Sequence, residues 1–224
     1  MNLVQVELKH AKYAFYDLNL DSRTVTDGIH KELKPLFATN ILVAAHVAVA
    51  RELSKRGYNV TLLATTDDMQ DYMKKNATEL TTLYSDIRNI NFDRRFDAIV
   101  CLGDTFSHMT ENKDVYFALQ GFHKILKYGG MILLENLAAS KLIDDNGGNT
   151  ITKVENGNVK IKRTSSLTPV SKFPAISVWK ASYEIIQNGK RSIYEEYAKI
   201  RGYEEKEWEK IVNDAQFSII KMLG

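Results

Sequence analysis

The sequence has little that would assign it to an extracellular, membrane or nucleic-acid-binding class. Its 224 residues include one cysteine, Cys101, which excludes an intramolecular disulfide and, within an apolar run, predicts a small buried side chain. The formal net charge of +2 gives no field that would attract nucleic acid or an anionic membrane. No apolar run approaches the ~20 residues of a membrane-spanning helix, and the N-terminus has no signal-peptide pattern. We therefore expect a cytoplasmic protein with neither nucleic acid nor membrane as a partner.

Strand and helix patterns alternate through the first two thirds of the chain. Buried-strand runs occupy residues 41–44, 59–63, 83–84, 98–102 and 131–134, and helical patterns separate them. The helix before the fifth run is expected to stop at 128–130, where two glycines follow a tyrosine. Such alternation predicts right-handed crossovers and a parallel sheet, with ligands at the carboxyl ends of its strands.

The pattern changes after residue 148. Two hairpins are predicted, over 151–161 with an Asn-Gly turn at 156–157, and over 178–197 with a second Asn-Gly turn at 188–189. A helix at 204–215 and strands at 217–222 and 3–8 complete the prediction. The predicted fold is a single α/β domain over 1–224, with a Rossmann-like parallel sheet and an antiparallel β insert at about 150–199.

The fourth and fifth strands carry the most informative motifs. Residues 96–108 read Phe-Asp-Ala-Ile-Val-Cys-Leu-Gly-Asp-Thr-Phe-Ser-His, and residues 126–130 read Leu-Lys-Tyr-Gly-Gly. They resemble the fourth and fifth conserved blocks of class I S-adenosylmethionine-dependent methyltransferases, in the small-molecule branch that includes sugar N-methyltransferases and glycine N-methyltransferase. Residues 56–61 resemble the region around that family's second strand, and 184–203 resemble its substrate-side insert. The resemblance implies a class I methyltransferase fold and S-adenosylmethionine as the cofactor.

The cofactor half departs from that family at three positions. The Gly-x-Gly turn after the first strand falls on Ala45, His46 and Val47, and the ribose-binding carboxylate at the end of the second strand falls on Ala64. A carboxylate usual within the first strand falls near Ile41. Losing the ribose carboxylate costs about 1.5–3 kcal/mol of binding, so these departures argue against S-adenosylmethionine binding. The cofactor contacts that the resemblance still implies are Asp86, Met69 and Gly103.

Several polar and aromatic residues are candidates for the chemistry. Asp104 and His108 follow the fourth strand and would orient or deprotonate an amine or hydroxyl substrate, or else cap a turn and lie on the cavity rim. His46 is interpreted as a structural residue that plugs the pocket or as a residue that contacts a bound ligand. No second histidine or cysteine lies near it at the spacing of metal ligands, so no metal is expected. Tyr13 and Tyr16 match lid aromatics of the family or belong to the core. Arg201 would face a substrate anion or form a surface salt bridge.

The sequence is compatible with three functions. The favoured one is a catalytically impaired methyltransferase relative that acts as a partner or regulatory subunit, in a homo- or hetero-oligomer. The second is an active S-adenosylmethionine-dependent N- or O-methyltransferase of a small molecule. The third is a different enzyme that uses His46, His108 and Asp104 as acid–base groups in the same pocket. The family closes its sheet beside the fifth strand, and here we expect residues 3–8 or a partner chain to fill that slot.

Overall fold

The computed structural model describes residues 6–93, 95–143 and 148–222, with the side chain of Asp104 excepted. The helices are α1 (Ala11–Asn19), α2 (Ser22–Leu33), α3 (Val47–Lys55), α4 (Asp67–Asn76), α5 (Asn112–Ile125), α6 (Ala139–Ile143) and α7 (Glu205–Asp214). The strands are β1 (Asn40–Ala44), β2 (Asn59–Ala64), β3 (Thr81–Tyr84), β4 (Phe96–Cys101), β5 (Leu126–Leu134), β6 (Thr150–Asn156), β7 (Val159–Lys172), β8 (Ala175–Gln187) and β9 (Lys190–Gly202). Short 3₁₀ helices lie at Leu8–His10, Lys34–Leu36, Ile87–Asn89 and Gly103–His108.

The first five strands form one parallel sheet in the order β3-β2-β1-β4-β5. The central strands β1 and β4 are apolar on both faces because helices cover both sides, and the residues from Ile41 to Ala44 are fully buried. The strand order reverses between β1 and β4, so the crevice beyond their carboxyl ends is the place where this architecture binds ligands. The predicted Rossmann-like sheet is confirmed.

The remaining strands form a separate antiparallel sheet in the order β6-β7-β8-β9. Gly157 and Gly189 hold the left-handed backbone of its two tight turns, at φ 58° and 74°. The sheet spans 150–202, slightly beyond the predicted 150–199, because β9 continues to Gly202. A Cβ on Gly202 would come within 2.7 Å of the Ala139 backbone, so glycine permits the return of β9 against α6.

Three boundary predictions are corrected. The strand predicted at 217–222 is wrong: these residues adopt no regular structure and join neither sheet of the described part of the chain. In the strand predicted at 3–8, residues 3–5 lie outside the described part of the chain, and Leu8 instead begins a 3₁₀ helix. Helix α5 ends at Ile125 rather than at 128–130, because β5 begins directly at Leu126 by pairing with Phe96.

The outer edge of β5 is unpaired within the described ranges, so residues 6–8 do not fill the slot beside it. No helix in the described part of the chain is long and apolar enough to cross a membrane.

Candidate functional site

A cavity of about 410 Å³ lies at the carboxyl ends of the parallel strands, between the sheet, helix α1 and the antiparallel sheet. Its volume falls in the range of small-molecule sites. Each of the first four strands delivers residues to it through the segment that follows the strand, as expected for this architecture. The lining residues are Lys12, Tyr13, Tyr16, Ala45, His46, Thr65, Thr66, Met69, Asp86, Ile87, Arg88, Leu102, Gly103, Thr105, His108, Met109, Asp114, Trp179 and Glu196.

The turn after β1 keeps a glycine-like backbone although it contains no glycine. Ala45 has φ 74°, in the left-handed region that L-residues rarely occupy and that costs about 1–2 kcal/mol. His46 follows as the N-cap residue of α3, and Val47 is fully buried as the first helical residue. Gly103 lies opposite, after β4, with φ 69°, and a Cβ there would come within 3.0 Å of His46 Nε2. The turn therefore places the imidazole in the crevice beyond the carboxyl ends of β1 and β4, where the strand order reverses.

Asp17 supports this turn from helix α1. Its buried carboxylate accepts hydrogen bonds from the Ala48 amide at 3.1 Å and from the Tyr72 hydroxyl at 2.8 Å, and His46 Nδ1 lies 3.9 Å away. A carboxylate at a helix N-terminus satisfies a free backbone donor and complements the helix dipole. Burial raises the pKa of Asp17, and His46, the Ala48 amide and the Tyr72 hydroxyl oppose that effect. This role could not be predicted from the sequence, because Asp17 lies within an aromatic helical pattern.

The ends of β2 and β3 form the next wall. Thr66 caps α4 by accepting from the Met69 amide, and its Oγ1 lies 2.9 Å from the Tyr13 hydroxyl. The carboxylate of Asp86 is held by Arg88, which pairs with it and lowers its pKa. Ala64 is fully buried at the end of β2 and does not line the cavity. The wall therefore has hydroxyl groups, but the last residue of β2 contributes no carboxylate.

Helix α1 and the antiparallel sheet cover the cavity from the other side. Lys12 Nζ lies 2.6 Å from Glu196 Oε1, and Trp179 lines the same side from β8. Burial lowers the pKa of Lys12, but the hydrogen bond to Glu196 and the charges of Glu196, Tyr13 and Tyr194 together outweigh burial and raise the pKa overall. The two residues are 184 positions apart, so only the folded chain identifies the pair.

The loop after β4 is held by the base of the antiparallel sheet. Arg201 is 3% exposed; it donates to the Thr110 carbonyl at 2.7 Å and pairs with the Glu207 carboxylate. The Tyr203 hydroxyl donates to the Met109 carbonyl at 2.8 Å. These contacts fix the segment that carries His108, so Arg201 supports the loop and does not line the cavity.

The structure brings most of the predicted site residues together. The following line the cavity: Tyr13, Tyr16, Ala45, His46, Met69, Asp86, Gly103 and His108. Val47, Ala64 and Arg201 do not, and Asp104 belongs to the 3₁₀ helix Gly103–His108 with its side chain outside the described part. The catalytic and binding roles of these residues remain predictions.

One group with metal-ligand chemistry lies away from the cavity. Glu7, His10 and Asp71 place one ligand atom each within 4.8 Å of one another. Lys9 lies 2.5 Å from Asp71, and Lys75 lies 2.5 Å from Glu7. Both carboxylates therefore already have an ammonium partner.

Part of the chain is similar in sequence to known methyltransferases. Residues 46–130 match the family described as a methyltransferase domain. The chain is 28% identical over 138 residues to glycine/sarcosine N-methyltransferase of Aphanothece halophytica, covering 57% of this chain and 52% of the relative. It is 30% identical over 137 residues to the same-named protein of Halorhodospira halochloris, covering 57% and 51%. The chain thus spans about half the length of these relatives.

Solved structures resemble the chain over nearly its whole length. DesVI of Streptomyces venezuelae superposes with a TM-score of 0.78 at 16% identity, covering 94% of this chain and 90% of that protein. CalS10, an amino pentose methyltransferase of Micromonospora echinaspora, superposes with a TM-score of 0.73 at 14% identity, covering 94% and 89%. Together with the family match, they confirm the resemblance to class I methyltransferases that the sequence motifs predicted.

Proposed function

We propose that this chain, which has the class I methyltransferase fold and matches a methyltransferase domain over residues 46–130, binds S-adenosylmethionine and methylates a small molecule. The observation that carries the proposal is the left-handed backbone of Ala45 at φ 74°. A strained conformation in a non-glycine residue persists where the surrounding structure requires it, and such residues cluster at ligand sites. Here the strain preserves the open turn that lets a ligand approach the backbone after β1.

The residues around the cavity fit most of such a cofactor. Ala45 and the facing Gly103 both line the cavity with left-handed backbone, and the His46 ring lies next to Gly103. Met69 and Ile87 supply apolar walls for a flat base, and Asp86 supplies an acceptor beside them. Thr65 and Thr66 offer hydroxyl groups near the end of β2 in place of a ribose carboxylate. We expect the affinity to be weaker than a carboxylate would give, by a factor of about ten to a hundred.

When bound, S-adenosylmethionine supplies a methyl group on a positively charged sulfur, ready for attack by a nucleophile. The chain's own residues would position that nucleophile. Trp179 and Tyr16 shape the substrate side, and the Lys12–Glu196 pair places one cation and one carboxylate there. His108 lines the same cavity after β4, where an imidazole is suited to remove a proton.

A second candidate is a non-catalytic methyltransferase relative that serves as a partner subunit. The buried, uncharged end of β2 at Ala64 favours it, because no carboxylate there can accept the two ribose hydroxyls. The unpaired edge of β5 among the described residues would be the place for a partner strand. This candidate requires that the cavity does not bind the cofactor, which separates it from the first.

Calorimetric titration with S-adenosylmethionine and S-adenosylhomocysteine distinguishes the two candidates. We expect both ligands to bind, and Thr65→Phe, which fills the cavity wall, to abolish the binding heat. The matched control is Thr168→Phe on the exposed part of β7, which should bind as the unmodified chain does. Absence of heat at millimolar ligand with the unmodified chain would reject the proposal and favour the partner subunit. Equal binding by both variants would place the ligand elsewhere.

A further inference from the structure

His46 occupies an unusual position for a charged or polar side chain. It is 7% exposed, lines the cavity, and lies at the N-terminus of α3 directly after the left-handed Ala45. Its Nδ1 is buried and has no hydrogen-bond partner in the described part of the chain. Its Nε2 lies near Gly103 on the opposite side of the crevice, 3.0 Å from the place that a Cβ on Gly103 would take. A buried ring nitrogen without a partner is rare unless the group serves a ligand or another function.

Asp17 borders the imidazole of His46 on its Nδ1 side. Its carboxyl group is buried and fixed by the Ala48 amide and the Tyr72 hydroxyl, and it lies 3.9 Å from Nδ1. The ring nitrogen left to meet a ligand is Nε2, which donates a hydrogen bond when it carries a proton. A hydrogen bond from Nε2 to an anionic group of the ligand would be charge-assisted.

We propose that His46, positioned by Asp17, binds the carboxylate of the amino-acid end of S-adenosylmethionine and thereby replaces contacts that a glycine turn makes with its backbone. The inference rests on the proposed function of the cavity. It also accounts for a bulky residue at a turn whose backbone remains open. His46 would be a cofactor-binding residue and Asp17 a positioning residue.

Three ligands that differ only at the amino-acid end provide the test. S-adenosylhomocysteine has the ammonium and the carboxylate, S-adenosyl-3-thiopropylamine has only the ammonium, and 5′-methylthioadenosine has neither. Calorimetry should show that His46→Leu, which removes the donor, weakens S-adenosylhomocysteine about tenfold to a hundredfold, as the loss of a charge-assisted hydrogen bond requires. The other two ligands should bind His46→Leu and the unmodified chain alike. His123→Leu, on α5 and packed against Phe217, is the matched control and should change none of the three affinities.

Asp17→Asn should weaken S-adenosylhomocysteine in the same selective way, and His46→Leu keeps the test valid if that variant does not fold. An unchanged affinity of His46→Leu for S-adenosylhomocysteine would overturn the inference while leaving the proposed function intact. A tighter affinity would overturn it too and identify His46 as a plug that obstructs the site. Failure of all three ligands to bind the unmodified chain would instead reject the proposed function.

Discussion

Replacing Ala45 with glycine tests whether the turn after β1 is held in a strained conformation. The backbone has φ 74° there, and an L-residue in this region costs roughly 1–2 kcal/mol. Glycine removes that strain but adds about 0.5–1 kcal/mol of chain entropy to the unfolded state. The net expectation for Ala45→Gly is a gain in the free energy of unfolding of about 0.5–1 kcal/mol, because the strain exceeds the entropy. In a chain of this length that raises Tm by about 1–4 °C.

The matched control is Ala50→Gly, five residues further on inside α3, where the backbone is helical. Glycine in a helix interior lowers the free energy of unfolding by about 1 kcal/mol, so the two substitutions should have opposite signs. Thermal and urea unfolding followed by circular dichroism measures both. A loss of stability in Ala45→Gly equal to that of Ala50→Gly would refute the conclusion that the turn is strained.

Three further predictions concern the stability and accessibility of the fold. Arg201→Lys should lower Tm, because the Thr110 carbonyl and the Glu207 carboxylate lose the guanidinium that contacts both. The affinity for S-adenosylhomocysteine, measured below Tm, should not change. A loss of affinity without a loss of stability would show that Arg201 contacts the ligand. Burial raises the pKa of Cys101 to about 12, so iodoacetamide should modify it only after denaturant is added, and rapid labelling of the native chain would contradict its placement in β4. Burial raises the pKa of Asp97, but Lys127 and the amides of Thr39 and Asn40 lower it more, leaving it below its usual range. That contribution to stability is present above about pH 4 and lost as the pH falls below it, so Asp97→Asn should flatten the acid limb of the stability curve.

The parallel sheet was predictable because its strands are buried on both faces. Continuous apolar runs such as 98–102 and 41–44 have few other stable arrangements, and Asn-Gly turns fix hairpins locally. The strand predicted at 217–222 was wrong because its sequence pattern says nothing about a pairing partner. Its two isoleucines favour extended backbone, but a strand needs a neighbour to pair with, which a local pattern cannot supply.

The site residues that could be predicted from the sequence are those that directly follow a strand of the parallel sheet. Ala45, His46 and Gly103 follow from counting along β1 and β4, and the structure brings them to one cavity. The identity of Ala45 suggested that the glycine turn was lost, whereas its backbone retains the left-handed conformation. Asp17 joins the site through contacts with α3 and α4, which depend on the packing of three helices. No periodicity in the sequence encodes such a contact.

Amide chemical-shift mapping with S-adenosylhomocysteine tests whether the cavity binds the cofactor. In ¹H–¹⁵N spectra of the unmodified chain, we expect saturable shifts of the Ala45, Thr65 and Gly103 amides, which come from three different strand ends around the cavity. Amides at the exposed Phe173 turn between β7 and β8 should not move. Unchanged spectra at millimolar ligand, or shifts confined to residues outside the cavity, would contradict it.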